Sequence, residues 1–415
     1  MASSRSHIIA ALDVGSAKVA CVVARPGEDG YRVLGAGTRR AHGLRKGVVT
    51  DMDAAEAAIR AAVDTAEKMA GIAIDEVFVV LSGGHPASHM VGVEVAAPDR
   101  PIGDHDVQRL LKQAGARSEP GERSVLHAIP VGFSLDGAGG IHDPRGMEGR
   151  RLGVDVHIVT AATSAQRNLD ICIGRAHLTP VDLVAGAYAA GLGALTWDER
   201  DLGAVAVDIG AGVTKIGIFR DGHLIHVDSV PIGGAHVTND IARILATSID
   251  AAERLKTTRG GVFVGPHDDD ETIPVPAIGD GWTESASSRM PLSLLIGVIR
   301  PRVEEILETV RERIESSGHA AMAGRKIVLT GGGSLLSGID RLAHDILDKP
   351  VRIGRPQNVT GLPEAMLSPA YCALAGSLAF ADRRLEARAQ LAGGPTAQRR
   401  SGGLIRIGRW LRENF

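Results

Sequence analysis

Aromatic residues are scarce in this chain, 3% of 415 positions, and cysteine is scarcer, with only Cys21, Cys172 and Cys372. Three is an odd number, no C-x-x-C spacing occurs, and each thiol sits in an apolar run. That points to packing rather than to disulfides, zinc or thiol chemistry. No apolar stretch reaches the ~20 residues that span a bilayer. No G-x-x-x-x-G-K-[ST] run is present, which excludes a Walker-type phosphate loop. His85 and His89 are four apart, but Pro86 between them argues against a helix that presents both to one metal. Asp268-Asp269-Asp270-Glu271 lacks an EF-hand pattern around it and reads as a solvated loop. The N-terminal apolar run has a superficial likeness to a signal sequence. Asp13 interrupts it and a β pattern continues through it, so we read it as a first core strand of a cytosolic protein.

What the chain has in abundance is glycine, which occurs 52 times within an ordinary 44% hydrophobic composition. That balance favours a turn-rich α/β protein. Two stretches are built alike. Leu12-Asp13-Val14-Gly15-Ser16-Ala17-Lys18 and Val207-Asp208-Ile209-Gly210-Ala211-Gly212-Val213-Thr214-Lys215 each join two β-branched runs, with a Gly-containing turn and a third run beyond. An Asp followed by small residues in a tight turn lets backbone N–H groups approach a phosphate while the carboxylate faces a cation. A single such turn is ordinary. Two of them, 195 positions apart, predict two similar lobes closing on one nucleotide. The run Thr330-Gly331-Gly332-Gly333-Ser334, between a strand and a helix start, offers further free N–H groups to an anion or a ribose.

The remaining pattern fits this plan. The first lobe opens with a meander from His7 to about Thr38. A helix follows from about Asp53 to Met69, capped by Asp51 or Asp53, and then a strand from Glu76 to Leu81. Residues 84–162 have a different texture, short strands around one helix from Asp104 to Ala114, and read as an inserted subdomain. Ser164 is positioned to cap the next helix; 197–201 reads as a polar linker, and 265–290 as an acidic, Pro-containing loop. In the second lobe a long amphipathic helix is expected over about Leu292 to Ser316, and a last packed helix over about Pro369 to Leu385. From Gln390 to Gly403 the composition is that of a linker.

Net charge is −3, yet residues 383–415 hold eight Arg against Glu386 and Glu413, a local +6 that leaves −9 for the rest. At 100° per residue, Leu404, Ile407, Leu411 and Phe415 share one face of the terminal segment. Arg406 and Arg409 lie opposite, Trp410 and Arg412 flank, and Ile405 adds apolar bulk. Such a helix is expected to lie on an anionic membrane. Partial burial of five apolar side chains yields about 5–8 kcal/mol, and helix ordering subtracts several. One tail therefore binds weakly, and lasting attachment calls for many tails on a polymer.

These residues resemble the actin-like ATPase superfamily and, more narrowly, the FtsA family of bacterial cell-division proteins. The resemblance rests on the two Asp turns, the triple-Gly run and the connecting segment Ala185-Gly186-Ala187-Tyr188-Ala189. It also rests on Leu126-His127-Ala128-Ile129-Pro130, Asp143-Pro144-Arg145-Gly146-Met147-Glu148-Gly149, Leu152-Gly153-Val154-Asp155-Val156-His157, Thr196 to Gly203, Gly234 to Asp240 and Ile299-Arg300-Pro301-Arg302. It implies an α/β, duplicated actin-like (ribonuclease H-like) two-lobe fold with an inserted subdomain and a C-terminal amphipathic helix. The implied division is subdomain IA over 1–83 and 163–200, IC over 84–162, and IIA over 201–230 and 299–362. Subdomain IIB covers 231–298, an IA closing helix 363–388, a linker 389–401 and the membrane helix 402–415.

The resemblance further implies ATP and Mg²⁺. Gly15, Ser16 and Lys18 match the first phosphate loop, with Asp13 near the hydrated metal. Asp208, Gly210, Gly212 and Thr214 match the second, with Asp208 near the γ-phosphate. Glu253 and Lys256 match the ribose and adenine contacts, and Gly331, Gly332 and Gly333 the adenosine turn. Arg300 and Arg302 match the surface that receives the FtsZ C-terminal peptide. Asp182 falls where related ATPases hold an acidic residue for the attacking water. The chain departs from the usual second loop in Val213, with the hydroxyl moved to Thr214, and in Lys215 where many relatives carry a carboxylate. ATP binding with at most slow hydrolysis is therefore expected. The implied setting is the cytoplasmic face of the inner membrane at the division site. The implied partners are FtsZ, further copies of the chain, later division proteins and anionic lipid, with no nucleic acid. The alternatives are a small-molecule kinase or a pilus-type assembly ATPase of the same superfamily, which have no use for the tail.

Overall fold

The computed structural model describes residues 8–28, 30–116, 121–278, 287–320 and 326–391. The linker from residue 392 and the membrane-helix expectation for 402–415 lie outside them.

The first lobe begins with β1 (Ile9–Val14), β2 (Lys18–Gly27) and β3 (Gly30–Arg40), an antiparallel meander whose inner strands are almost wholly buried. A two-rung hairpin, β4 (Leu44–Arg45) and β5 (Val48–Val49), leads into helix α1 (Met52–Ala70). Asp51 caps that helix by accepting from the amides of Asp53 and Ala54, and left-handed Gly71 ends it. Its small residues Ala55, Ala58, Ala62 and Ala66 form the buried stripe, so α1 lies close on the sheet. Strand β6 (Glu76–Leu81) then runs parallel to β1.

The chain leaves the lobe for an inserted unit: β7 (Ala87–Ala96), helix α2 (Asp104–Ala116), β8 (Arg123–Leu135), β9 (Ala138–Ile141) and β10 (Arg151–Ala162). Its strands form a separate sheet in the order β7-β10-β8-β9, with a core of its own that includes Val107, Leu110, Leu111, Phe133 and Val154. The chain returns through α3 (Thr163–Arg175), β11 (Thr179–Ala185), α4 (Gly186–Ala194) and α5 (Trp197–Leu202). Ser164 does not cap α3, which starts after Ala162 with no side-chain cap. The expected polar linker 197–201 is helical instead. Thr196 and Glu199 form a reciprocal capping box, a signal carried by the Thr-x-x-Glu spacing.

The second lobe repeats the meander with β12 (Ala204–Ile209), β13 (Thr214–Arg220) and β14 (His223–Val230), followed by α6 (Gly234–Ile244) and α7 (Ile249–Arg259). The stretch read as a loop over 265–290 contains a strand pair instead, β15 (Thr272–Pro276) with β16 (Ser287–Pro291). A two-stranded unit has no interior strand, so Pro274, Pro276 and Pro291 are tolerated there. Helix α8 (Leu292–Ser316), β17 (Ile327–Thr330), α9 (Ile339–Leu347), β18 (Val351–Ile353), β19 (Val359–Thr360) and α10 (Cys372–Leu391) complete the chain. Helix α10 runs six residues past the expected end at Leu385 and includes Gln390.

The two main sheets have one plan. In the order β11-β6-β1-β2-β3-β19 and β14-β13-β12-β17-β18, an antiparallel meander is extended by two parallel strands on the side of its first strand. Strand β19 adds one edge strand to the first lobe. Helices α4 and α10 pack together at the junction, and glycine sets how closely. A Cβ on Gly376 would lie 1.8 Å from the Ala189 carbonyl oxygen, and one on Gly193 would lie 1.9 Å from that of Cys372. All three cysteines are buried and free, and burial raises the Cys21 and Cys372 thiols to about 12. No helix among the described residues is long and apolar enough to cross a membrane.

Candidate functional site

The two Asp turns have the same internal hydrogen bond. The Gly15 amide donates to the Lys18 carbonyl at 3.0 Å, and the Gly210 amide donates to the Val213 carbonyl at 3.1 Å. A side chain at either glycine would crowd that carbonyl, at 3.1 Å for Gly15 and 2.8 Å for Gly210. Both turns open into one cleft of about 850 Å³ between the lobes. Asp13, Gly15, Ser16, Lys18, Asp208, Gly210, Gly212, Glu253, Lys256, Gly331, Gly332 and Gly333, all expected at one site, line it together.

The cleft floor is charged, and most of its ionisable side chains are buried. Asp13 and Asp208 are 7% and 5% exposed, and Lys215 is 6% exposed. The Lys215 ammonium lies 2.5 Å from Asp208 Oδ2. Burial opposes that charge, but the Asp208 and Asp13 carboxylates outweigh it and raise the lysine above its ordinary value. Burial raises Asp13 despite Lys18 and Lys215, while the Ser82 hydroxyl donates to its Oδ1 at 3.4 Å. Burial lowers Lys18 despite Asp13 and Asp208. Its ammonium donates to the Ala370 carbonyl at 2.6 Å and lies 4.5 Å from the Tyr371 ring centre.

On the second-lobe side, Lys256 Nζ donates to Glu253 Oε2 (2.6 Å), the Thr238 hydroxyl (2.8 Å) and the Gly234 carbonyl (3.1 Å). Thr238 in turn donates to Glu253 at 2.5 Å. The network ties α6 to α7 and leaves the Glu253 side chain 46% exposed at the cleft. The glycine run bends where its first residue takes a left-handed φ of 81°. A Cβ there would meet Asp208 Oδ1 at 2.3 Å, so this turn and the second Asp turn touch.

Two positions expected at the cleft, Thr214 and Asp182, lie outside it, and the two arginines expected on a docking surface are engaged within the second lobe. Thr214 is fully buried and donates to the Ile232 carbonyl at 2.8 Å, so it does not line the cleft. As the first residue of β13 it faces away from the cleft, and the next residue, Lys215, faces in. Asp182 is also outside. A register irregularity between Pro180 and Asp182 sets Asp182 opposite Phe78, whose ring packs on Phe380 of α10, and Asp182 pairs with Arg384 at 3.0 Å. Arg302 is engaged within the lobe by Asp240 (2.6 Å) and Glu305. Arg300 pairs with Glu304 at 2.7 Å and lies over the Phe263 ring, where Arg341 joins it.

Sequence reading missed the β4–β5 hairpin. Its tip is Lys46 and Gly47, and both residues have a positive φ. A tight two-residue turn requires this, and the Gly in second place was the available signal. The Gly47 amide donates to Ser16 Oγ at 2.7 Å, and a Cβ on Gly212 would lie 2.9 Å from Lys46 Cα. The tip is thus wedged between the two Asp turns. Arg40 and Asp250 also pair across the cleft mouth at 2.7 Å.

The oxygen donors of Asp13 and Asp208 suit a hard cation such as Mg²⁺. Because Lys215 engages one Asp208 oxygen, they fit a cation held through its waters rather than one ligated directly.

The sequence model described as Cell division protein FtsA matches residues 205–376, and that described as SHS2 domain inserted in FTSA matches residues 83–160. A cell division protein FtsA of Agrobacterium fabrum is 40% identical over 429 aligned residues, covering 100% of this chain and 96% of its own. The chain belongs to the FtsA family. It is therefore an actin-like cell-division protein, and the 83–160 match coincides with the inserted sheet. Among solved structures, the PilM-PilN type IV pilus biogenesis complex superposes with a TM-score of 0.63 at 19% identity, covering 89% of this chain and 98% of that one. MreB5 of Spiroplasma citri bound to ADP gives 0.56 at 17% identity, covering 94% and 99%. At these identities the two structures establish the shared actin-like fold.

Proposed function

We propose that this FtsA-family chain binds ATP with Mg²⁺ in the interlobe cleft, assembles with further copies on the cytoplasmic face of the inner membrane at the division site, and tethers FtsZ there. The observation that carries the nucleotide reading is the pair of matched Asp turns facing one cleft that the triple-Gly turn closes. The nucleotide in an MreB structure of the same fold is consistent with it. Asp13 and Asp208 would hold the cation through its waters, and the cation would offset phosphate charge. Gly15, Ser16, Gly210 and Gly212 would cradle the phosphates, Lys18 would neutralise them, and Glu253, Lys256 and the triple-Gly turn would hold the nucleoside. No free carboxylate stands where Lys215 and Asp208 pair, which supports at most slow hydrolysis and a role for nucleotide as an assembly switch.

The membrane part rests on the basic amphipathic pattern of residues 402–415. The FtsZ C-terminal peptide would dock on the second lobe around Arg300, with Arg341 and Phe263 beside it. Later division proteins would meet the inserted sheet. Co-pelleting with anionic liposomes, with and without ATP, tests the assignment. The full chain is expected to pellet and a chain lacking 402–415 to stay in solution. Equal pelleting of the two removes the tail as the anchor.

A further inference from the structure

We propose that Lys215 is a built-in counter-cation of the second phosphate turn, so that nucleotide enters this cleft with little dependence on a divalent cation. The inference rests on the nucleotide reading and concerns how the same site balances charge.

The two lobes handle equivalent carboxylates differently. In the strand register Asp13 stands opposite Ala20, and Asp208 stands opposite Lys215. Directly opposed residues of an antiparallel pair project to the same face, so the lysine is delivered to Asp208 by the meander itself. Its stem is confined as well. A Cβ on Gly186, the first residue of α4, would lie 2.8 Å from Lys215 Cδ, so the side chain runs through a slot that only glycine leaves open. The ammonium is thereby held at the cleft floor, 2.5 Å from Asp208 and within the field of Asp13.

An ammonium carries three N–H donors and no acceptor. Asp208 takes one, and a phosphate oxygen arriving between the turns can take another. With Lys18 and Lys215, the floor holds two lysines against its two carboxylates before any metal arrives. In a lobe with an uncharged residue opposite Asp208, the buried carboxylate and a phosphate would repel each other until a divalent cation came between them. Here the fixed ammonium bridges them instead.

The experiment is calorimetric titration of ATP into the full-length protein, in excess Mg²⁺ and in excess EDTA. Wild type is expected to lose less than about fivefold in affinity on removing the cation. Lys215→Met, which keeps an unbranched stem and removes the charge, is expected to lose more than about thirtyfold, or about 2 kcal/mol. Lys215→Arg is expected to stay near wild type. Should the methionine variant not fold, Lys215→Gln, whose side-chain amide still donates to Asp208 but carries no charge, is expected to show the same sensitivity. A wild-type loss beyond tenfold, or the same ratio in wild type and the uncharged single variant, overturns the proposal while leaving the nucleotide site in place. No heat from folded wild type in either buffer overturns the nucleotide reading and this proposal together.

Discussion

The three glycines at 331–333 are not equivalent, and substituting each by alanine separates folding from binding. Gly331→Ala must hold an L-residue at a φ of 81°, which costs about 1–2 kcal/mol. Its Cβ would meet the Ile209 carbonyl oxygen at 2.5 Å and Asp208 Oδ1 at 2.3 Å, and forcing two packed turns apart adds about 1–3 kcal/mol. A loss of about 3 kcal/mol would lower the urea midpoint of the second lobe by roughly 1–3 M, given slopes of about 1–3 kcal/mol/M. Gly333→Ala would meet Ile209 Cγ2 at 2.3 Å. The nearest backbone atom, the Ile209 carbonyl oxygen, is farther off at 3.0 Å and no left-handed φ is involved, so the cost is smaller, about 1–2 kcal/mol. Gly332→Ala finds only the Ala370 methyl, at 4.0 Å, and its Cβ enters the cleft. Its midpoint should stay within about 0.5 kcal/mol of wild type, while ATP affinity falls several-fold in calorimetry. Equal destabilisation by the 331 and 332 substitutions, or an unchanged midpoint for Gly331→Ala, refutes the packing argument.

Asp182→Asn should cost about 2–4 kcal/mol, because Arg384 loses a buried charged partner, and leave ATP affinity within about twofold; a tenfold loss of affinity would return Asp182 to the site. Burial works against the Glu199 charge, but Arg352, the Thr196 amide and Lys326 overcome it and hold the carboxyl at about 2, below its ordinary 4.5. Its contribution, about 2 kcal/mol after allowing for nearby solvent, is therefore complete above about pH 4.5 and lost as pH falls toward 2. Urea midpoints of Glu199→Gln and wild type should converge at the acid end, and a constant gap would contradict the assignment. Arg300→Glu should weaken an acidic FtsZ tail peptide at least tenfold in a fluorescence titration, and unchanged affinity would move the docking surface elsewhere.

That the two Asp turns share one cleft was legible because the pattern occurs twice, whereas a single Asp-x-Gly turn is ordinary. The residues that went astray depend on strand parity. Thr214 and Lys215 are adjacent, and one step along a strand decides which faces the cleft. Asp182 follows a register irregularity, which no local pattern announces. The β15–β16 pair was hidden by its prolines, which a central strand would have refused. The Lys215–Asp208 pair and the Ser16–Gly47 contact join residues that only the folded chain brings together.

Helix α10 connects distant parts of the molecule. The corner just before it supplies the Ala370 carbonyl to Lys18 and the Pro369 carbonyl to both Thr330 and Gly331, so it touches the first Asp turn and the glycine run at once. From that corner the helix runs from Cys372 to Leu391, a length of about 30 Å. It is clamped against α4 by glycine contacts that leave it no room to slide. A small tilt at the cleft end is magnified along such a rod. The far end at Leu391 therefore moves most when the corner beside the cleft tilts.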